Sequence, residues 1–257
     1  MDETRVKDYL ARIGAERPAR PDAAALRDLH LRHMRTVPFE NLAIHLGEDI
    51  VLDEDALVAK VVDRRRGGFC YELNGAFGAL LSALGYDVTP LAGRVFGDDG
   101  PGIPYDHMAL RVGPWLADVG FGSHTHHPLR IDERGDQADP AGVFRIVETA
   151  DGDLDVLHDG RPVYRLETRP RTLRDFIAGC WWHRTSPESH FTRSLVCSLL
   201  TETGRITLSG RTLTRTVGEE REKQELGDDA EVLAAYRTHF GIELDRVPEG
   251  VSDRSRS

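Results

Sequence analysis

The hydrophobic pattern of this 257-residue chain changes period at Tyr86, and that change limits the folds open to it. Before it, apolar residues recur at helical spacing. The opening MDETRVKDYL reads as acidic and helical, and no secretory signal is expected. Asp22 is placed to cap a helix carrying Leu26, Leu29 and Met34, and Asp53 one carrying Leu57, Val58, Val61 and Val62. Pro38 marks a helix boundary between them. The strongest helix follows Gly67-Gly68, with Leu73, Phe77, Leu80, Leu81 and Leu84 in phase and Gly85 as its stop.

After Tyr86 the texture is that of short strands, over 88–96, 108–112, 115–119, 144–148, 154–157 and 163–166, separated by Gly, Asp and Pro clusters. A helical stretch over 173–182 follows, then strands around 193–200 and 205–216, an amphipathic helix over 228–240 and a polar, fraying tail from Val251. The pattern predicts an α+β protein: a helical N-terminal part, a β-rich middle and a mixed C-terminal part, packed together.

A formal net charge of −10 argues against a general nucleic-acid binder, which needs a basic face. The longest mostly apolar run, Ala76 to Leu84, is about half of what a membrane span requires. Cys70, Cys180 and Cys197 are an odd set without paired spacing, which fits a reducing compartment and a cytoplasmic location.

Cys70 stands apart from the other two. It follows Arg64-Arg65-Arg66-Gly67-Gly68-Phe69 and opens the strongest helix, whose N-terminal N–H groups and partial positive charge favour a thiolate and an oxyanion. The glycine pair is read as a sharp turn that leaves the sulfur accessible. The alternative is a buried cysteine serving as a small hydrophobe. For Cys180 and Cys197 core packing is the expectation.

A nucleophilic thiolate requires an imidazole, and the imidazole an orienting carboxylate. The segment Asp106 to Val119 reads as a hairpin about Gly113-Pro114. If Val112 pairs with Trp115, Ala109 faces Asp118, and His107 and Asp118 become diagonal neighbours on one face, about 7–8 Å apart between backbones. Met108, Leu110, Ala117 and Val119 then cover the other face. A slip of one residue would separate the pair, and Pro114 is an awkward second turn residue. Spacing alone leaves a cysteine–histidine–aspartate triad and a chance arrangement both open.

Several segments, in order, resemble the signatures of the arylamine N-acetyltransferases: Pro38-Phe39-Glu40-Asn41-Leu42, Arg66-Gly67-Gly68-Phe69-Cys70-Tyr71-Glu72-Leu73-Asn74, His107-Met108-Ala109-Leu110, Asp118-Val119-Gly120-Phe121-Gly122, Ser189-His190-Phe191-Thr192 and Thr207-Leu208-Ser209-Gly210-Arg211. The resemblance implies a helical bundle over residues 1–85, an antiparallel β-barrel over 86–184 and an α/β lid over 185–257, around a transglutaminase-like cysteine core. It also implies a Cys70–His107–Asp118 triad and an acceptor pocket lined by Phe39, Val95, Phe121 and Phe191. The implied reaction is two-step transfer of acetyl from acetyl-CoA, a co-substrate rather than a tightly bound cofactor, through a Cys70 thioester to an arylamine, arylhydroxylamine or hydrazine. Neither a metal nor a nucleic acid nor a membrane is expected as a partner.

Glu40, Asn41, Glu72 and Asn74 are expected as buried partners of the Arg64–Arg66 run. Asp106 stands where many members of that family carry threonine, so a weakened CoA contact or phosphate repulsion is expected there. His124, His126 and His127 form a cluster with no neighbouring Cys or carboxylate to complete a ligand set, and a solvated or pocket-rim loop is expected for it. Two rival activities share the triad: an amide synthase that releases a polyketide by macrolactam formation from an acyl-carrier protein, and a thioester or amide hydrolase.

Overall fold

A computed structural model describes residues 1–250; the tail expected to fray from Val251 lies outside the described residues. The first part contains helices α1 (Glu3–Arg12) and α2 (Ala23–Thr36), the short strand β1 (Phe39–Glu40), and helices α3 (Leu42–Leu46), α4 (Glu54–Val62) and α5 (Cys70–Ala83). Asp22 and Asp53 cap α2 and α4 as expected, each accepting a backbone N–H of the first turn. α2 ends two residues before Pro38. Buried side chains cover every side of α5 from Cys70 to Leu81, so it is a central helix rather than an amphipathic surface one. Its Leu73, Phe77 and Leu80 pack with Leu57, Val61 and, from the hairpin, Leu110, Ala117 and Val119. Each such side chain contributes about 1.5–3 kcal/mol when fully buried.

The middle part is one antiparallel sheet: β2 (Val88–Gly97), β3 (Gly100–Pro101), β4 (His107–Val112), β5 (Trp115–Ala117), β6 (Leu129–Arg130), β7 (Gln137–Asp139), β8 (Gly142–Glu148), β9 (Leu154–His158) and β10 (Arg161–Leu166). The spatial order is β6-β5-β4-β2-β10-β9-β8-β7, with β3 folded back on β2. The two edges meet through one side chain. Gln137 in β7 accepts the Arg130 N–H and donates to the Arg130 carbonyl in β6, at 2.7 and 2.9 Å, so the sheet is a nearly closed barrel. Leu91, Ala109, Leu116, Phe144, Ile146, Val156 and Tyr164 fill its interior.

A 3₁₀ turn (Leu173–Phe176) leads into α6 (Ile177–Thr185) and the one-turn α7 (His190–Arg193). A second antiparallel sheet follows from β11 (Val196–Leu200), β12 (Arg205–Ser209), β13 (Thr212–Val217) and β14 (Glu220–Glu225), in the order β1-β11-β12-β13-β14. The strand expected from residue 193 therefore begins at Val196, because Ser189 caps α7 just before it. The single strand expected over 205–216 is a hairpin about Gly210-Arg211. β14, with five charged residues among its six, carries no apolar alternation and escapes a pattern-based reading. The last helix is α8 (Asp229–Ala235), capped by Asp228, and it widens into a π turn over Tyr236–Phe240. Among the described residues no helix is long and apolar enough to cross a membrane.

Candidate active site

The β4–β5 hairpin has the register the sequence suggests: Val112 opposes Trp115, Arg111 opposes Leu116 and Leu110 opposes Ala117. Gly113 supplies a φ of +54° as the first turn residue, which leaves Pro114 a position compatible with its fixed negative φ. Strand pairing stops at Ala117, and the chain bends so that Asp118 Oδ2 lies 2.7 Å from His107 Nε2. Both side chains are buried, at 2% and 1% exposure.

Both carboxylate oxygens of Asp118 are engaged. Oδ1 accepts from Asn74 Nδ2 at 2.9 Å and from the Gly120 N–H at 3.0 Å. Its backbone N–H donates to His30 Nε2. Burial alone would raise its pKa, but the His107 contact, with help from His124 and Asn74, holds the carboxyl well below the usual range. Asn74 also donates to the Met108 carbonyl and accepts the Val119 N–H. It lies one helical turn after Cys70, so α5 presents the thiol and the carboxylate's support on one face.

Cys70 opens α5 and is 4% exposed. Burial pushes its thiol well up, partly offset by the Met108 backbone N–H and reinforced by the charges of Asp118 and Asp106. The arginine run does not supply the expected positive setting. Arg64 and Arg65 are exposed, and Arg66 is turned away to a buried ion pair with Glu40, 3.0 Å from Nε to Oε1. Lys60 pairs with Glu72 beside it. These four groups neutralise one another, so no net positive charge is left for the sulfur. Glu72 Oε2 also accepts the Phe69 N–H and so ties the loop to the first turn of α5.

Two further expectations are corrected here. Glu40 is a partner of the arginine run, but Asn41 binds the Phe191 and Ser194 carbonyls and the Val196 N–H, Glu72 serves Lys60, and Asn74 serves Asp118. Gly67 and Gly68 do not sit at positive φ. Their role is close packing: a Cβ on Gly67 would meet the Pro38 carbonyl oxygen at 1.8 Å, and one on Gly68 would meet Glu72 at 2.6 Å. Gly120 is similar, since a Cβ there would lie 2.7 Å from Cys70 Cα.

Cys70 and His107 line a cavity of about 920 Å³ between the barrel and the second sheet. Phe39, Val95, Phe121 and Phe191 line it too, whereas Asp118 lies behind His107. Phe121 meets the His107 ring edge-on at 5.2 Å, and Phe191 packs on Phe39 and Phe69. Asp106 lines the cavity with its carboxylate already engaged: Oδ2 accepts the Val95 N–H, and Oδ1 is 3.0 Å from His183 Nε2. His124 is not in a solvated loop. It is buried in the barrel, 3.1 Å from the Tyr164 hydroxyl, and burial lowers its pKa to about 4.

The opposite wall was not anticipated from the sequence. Val196 and Ser198 of β11, and Arg205, Thr207 and Ser209 of β12, all face the cavity. Polar residues alternate there with Ile206 and Leu208, which is the signature of a solvent-facing strand. The two-residue β1 joins this sheet by a long-range pairing with β11, so no local signal in the sequence marks the wall.

Fold and site together define an α+β protein in which a cysteine at the first position of a helix shares one cavity with a histidine backed by a buried aspartate. Comparison with known proteins narrows the class. The N-acetyltransferase family model matches residues 22–248. The chain is 37% identical to the arylamine N-acetyltransferase of Mycolicibacterium smegmatis over 250 residues, covering 92% of this chain and 91% of that one. It is 35% identical to the Escherichia coli K12 arylamine N-acetyltransferase over 255 residues, covering 94% and 90%. The structure of the Mycobacterium marinum arylamine N-acetyltransferase in complex with CoA superposes with a TM-score of 0.85 at 34% identity, covering 98% of this chain and 96% of that one. The chain belongs to the arylamine N-acetyltransferase family.

Proposed function

We propose that this protein transfers an acetyl group from acetyl-CoA to the nitrogen of an arylamine, arylhydroxylamine or hydrazine, with Cys70, His107 and Asp118 as its triad. The observation that carries the reading is the Asp118–His107 pair, buried at the edge of the cavity that Cys70 also lines. Asp118 binds Nε2 of His107, which leaves Nδ1 to take the Cys70 proton. The thiolate attacks the acetyl carbonyl, CoA leaves as its thiol with that proton, and an acetyl-cysteine remains. The acceptor nitrogen then attacks the thioester, His107 takes its proton, and the sulfur is released.

Phe39, Val95, Phe121 and Phe191 form the apolar side of the acceptor pocket, a surface suited to an aromatic ring. The relative from Mycobacterium marinum binds CoA in its crystal structure, and this supports acetyl-CoA as the donor. Steady-state kinetics with acetyl-CoA and a panel of arylamines tests the reading. Parallel double-reciprocal lines are expected. Release of free acetate at the same rate with and without amine would favour a hydrolase, and reaction with long-chain acyl thioesters alone would favour an amide synthase.

A further inference from the structure

The cavity wall facing the triad carries a cation with no acidic partner among the described residues. Arg205 opens β12 and directs its side chain into the cavity, with Thr207 and Ser209 on the same face and Ile206 and Leu208 packed behind the sheet. Nη1 of Arg205 donates to Ser198 Oγ at 3.1 Å, and Ser198 Oγ lies 2.9 Å from Thr207 Oγ1. Among the described residues Arg205 makes no ion pair. A guanidinium has five N–H donors in a planar fork, and one hydroxyl satisfies only one of them.

Other arginines near the site show what a satisfied one looks like. Arg66 holds Glu40 and Glu48, and these outweigh the effect of burial and raise its pKa. Arg193, which also lines the cavity, donates to the Glu188 and Ser189 carbonyls. For Arg205 burial acts unopposed and lowers the pKa to about 10, still charged at neutral pH. The chain as a whole carries a net charge of −10, and Asp98, Asp99 and Glu188 line other parts of the same cavity. An anion is therefore attracted only locally, and Arg205, with two hydroxyls able to turn toward a ligand, has more free donors than Arg193, which is held by two backbone carbonyls.

We propose that Arg205, Ser198 and Thr207 form an oxyanion subsite that takes the charged group of a substrate, either a carboxylate on the aromatic acceptor or a phosphate of the CoA donor. The subsite deepens the acetyl-transfer reading and rests on it for the identity of those two ligands. A forked guanidinium matches both carboxylate and phosphate oxygens.

Titration calorimetry on the Cys70→Ala protein, with and without Arg205→Gln, separates the sources without requiring turnover. The probes are CoA, para-aminobenzoate and the neutral para-aminobenzamide. Loss of one charge-assisted contact weakens binding about tenfold to a hundredfold. A loss of that size for CoA alone assigns the phosphate; for para-aminobenzoate alone, the carboxylate. Arg205→Lys should recover only part of it. Binding of both anionic probes unchanged by Arg205→Gln, no measurable binding of either to the parent protein, or an equal loss for all three probes would overturn the subsite. Absence of acetyl transfer, with Arg205-dependent anion binding retained, would instead remove the proposed reaction and leave the subsite standing.

Discussion

The two walls of the cavity differ in how fully their polar groups are paired. On the triad wall, both oxygens of Asp118, both ends of the Asn74 amide and the four charges of Lys60, Glu72, Arg66 and Glu40 all have partners inside the protein. On the wall of β11 and β12, Arg205 has one hydroxyl for its five donors. A wall whose carboxylate, amide and charged groups are paired holds a fixed geometry, which suits bond-making. A wall with donors to spare suits a ligand that supplies the missing acceptors. On the proposed reading, the contrast separates the end of the cavity that carries the chemistry from the end that recognises the ligand.

The contrast is broken most directly at Asp118. Asp118→Asn keeps the shape but leaves the His107 contact without its charge, and it should cut acetyl-transfer turnover about a thousandfold or more, as seen when an orienting aspartate is so replaced. A fall of under tenfold in kcat would show that the paired wall does not position His107.

Next in size is the charge cluster behind Cys70. Glu72→Gln strands Lys60 in the interior and should lower stability by about 3–5 kcal/mol in urea unfolding. Replacing both partners, Lys60→Met with Glu72→Leu, should recover most of that loss. A double variant as unstable as the single one would show that the cluster is needed for more than mutual neutralisation.

Asn74→Ala removes two donated bonds and one accepted bond around Asp118. Turnover should fall about tenfold to a hundredfold with KM for the acceptor little changed, since Asn74 acts through Asp118 and lies outside the acceptor surface. A rise in KM alone would move Asn74 from the chemical end of the cavity to the binding end.

The smallest effect is on acid stability. Burial lowers the pKa of His30 and His124 to about 4, against about 6.5 in an unfolded chain. Between those values the unfolded state binds more protons, so stability rises with pH through the window. It is full above about pH 6.5, and the loss levels off near pH 4. One unit below 6.5 each histidine costs about 1 kcal/mol, and His124→Asn should flatten part of the slope in denaturant midpoints against pH. An unaltered slope would mean that His124 is not held neutral.

Much of the paired wall is legible in the sequence because its determinants are local. Asp22 and Asp53 cap within three residues, Cys70 heads a helix with a glycine stop, and alternation through a tight turn fixes the register that brings His107 near Asp118. What escapes depends on contacts distant in the chain. Arg66 stands next to the cysteine loop, yet Glu40 takes its charge across 26 residues. Gly67 is small because Pro38 lies against it. Arg205 reads as a solvent-facing strand residue until β1 pairs with β11 and turns that face inward. His124 reads as loop, although Tyr164, forty residues on, draws it into the barrel.

The central claim is that Cys70 carries the acetyl group between donor and acceptor. Brief exposure to acetyl-CoA, followed by intact-mass spectrometry and peptide mapping, should show one acetyl group on Cys70 that disappears when an arylamine is added. The Cys70→Ala protein should remain folded and unmodified. Acetyl transfer at an undiminished rate by that variant, or no adduct on the wild-type sulfur under conditions of turnover, would contradict the account.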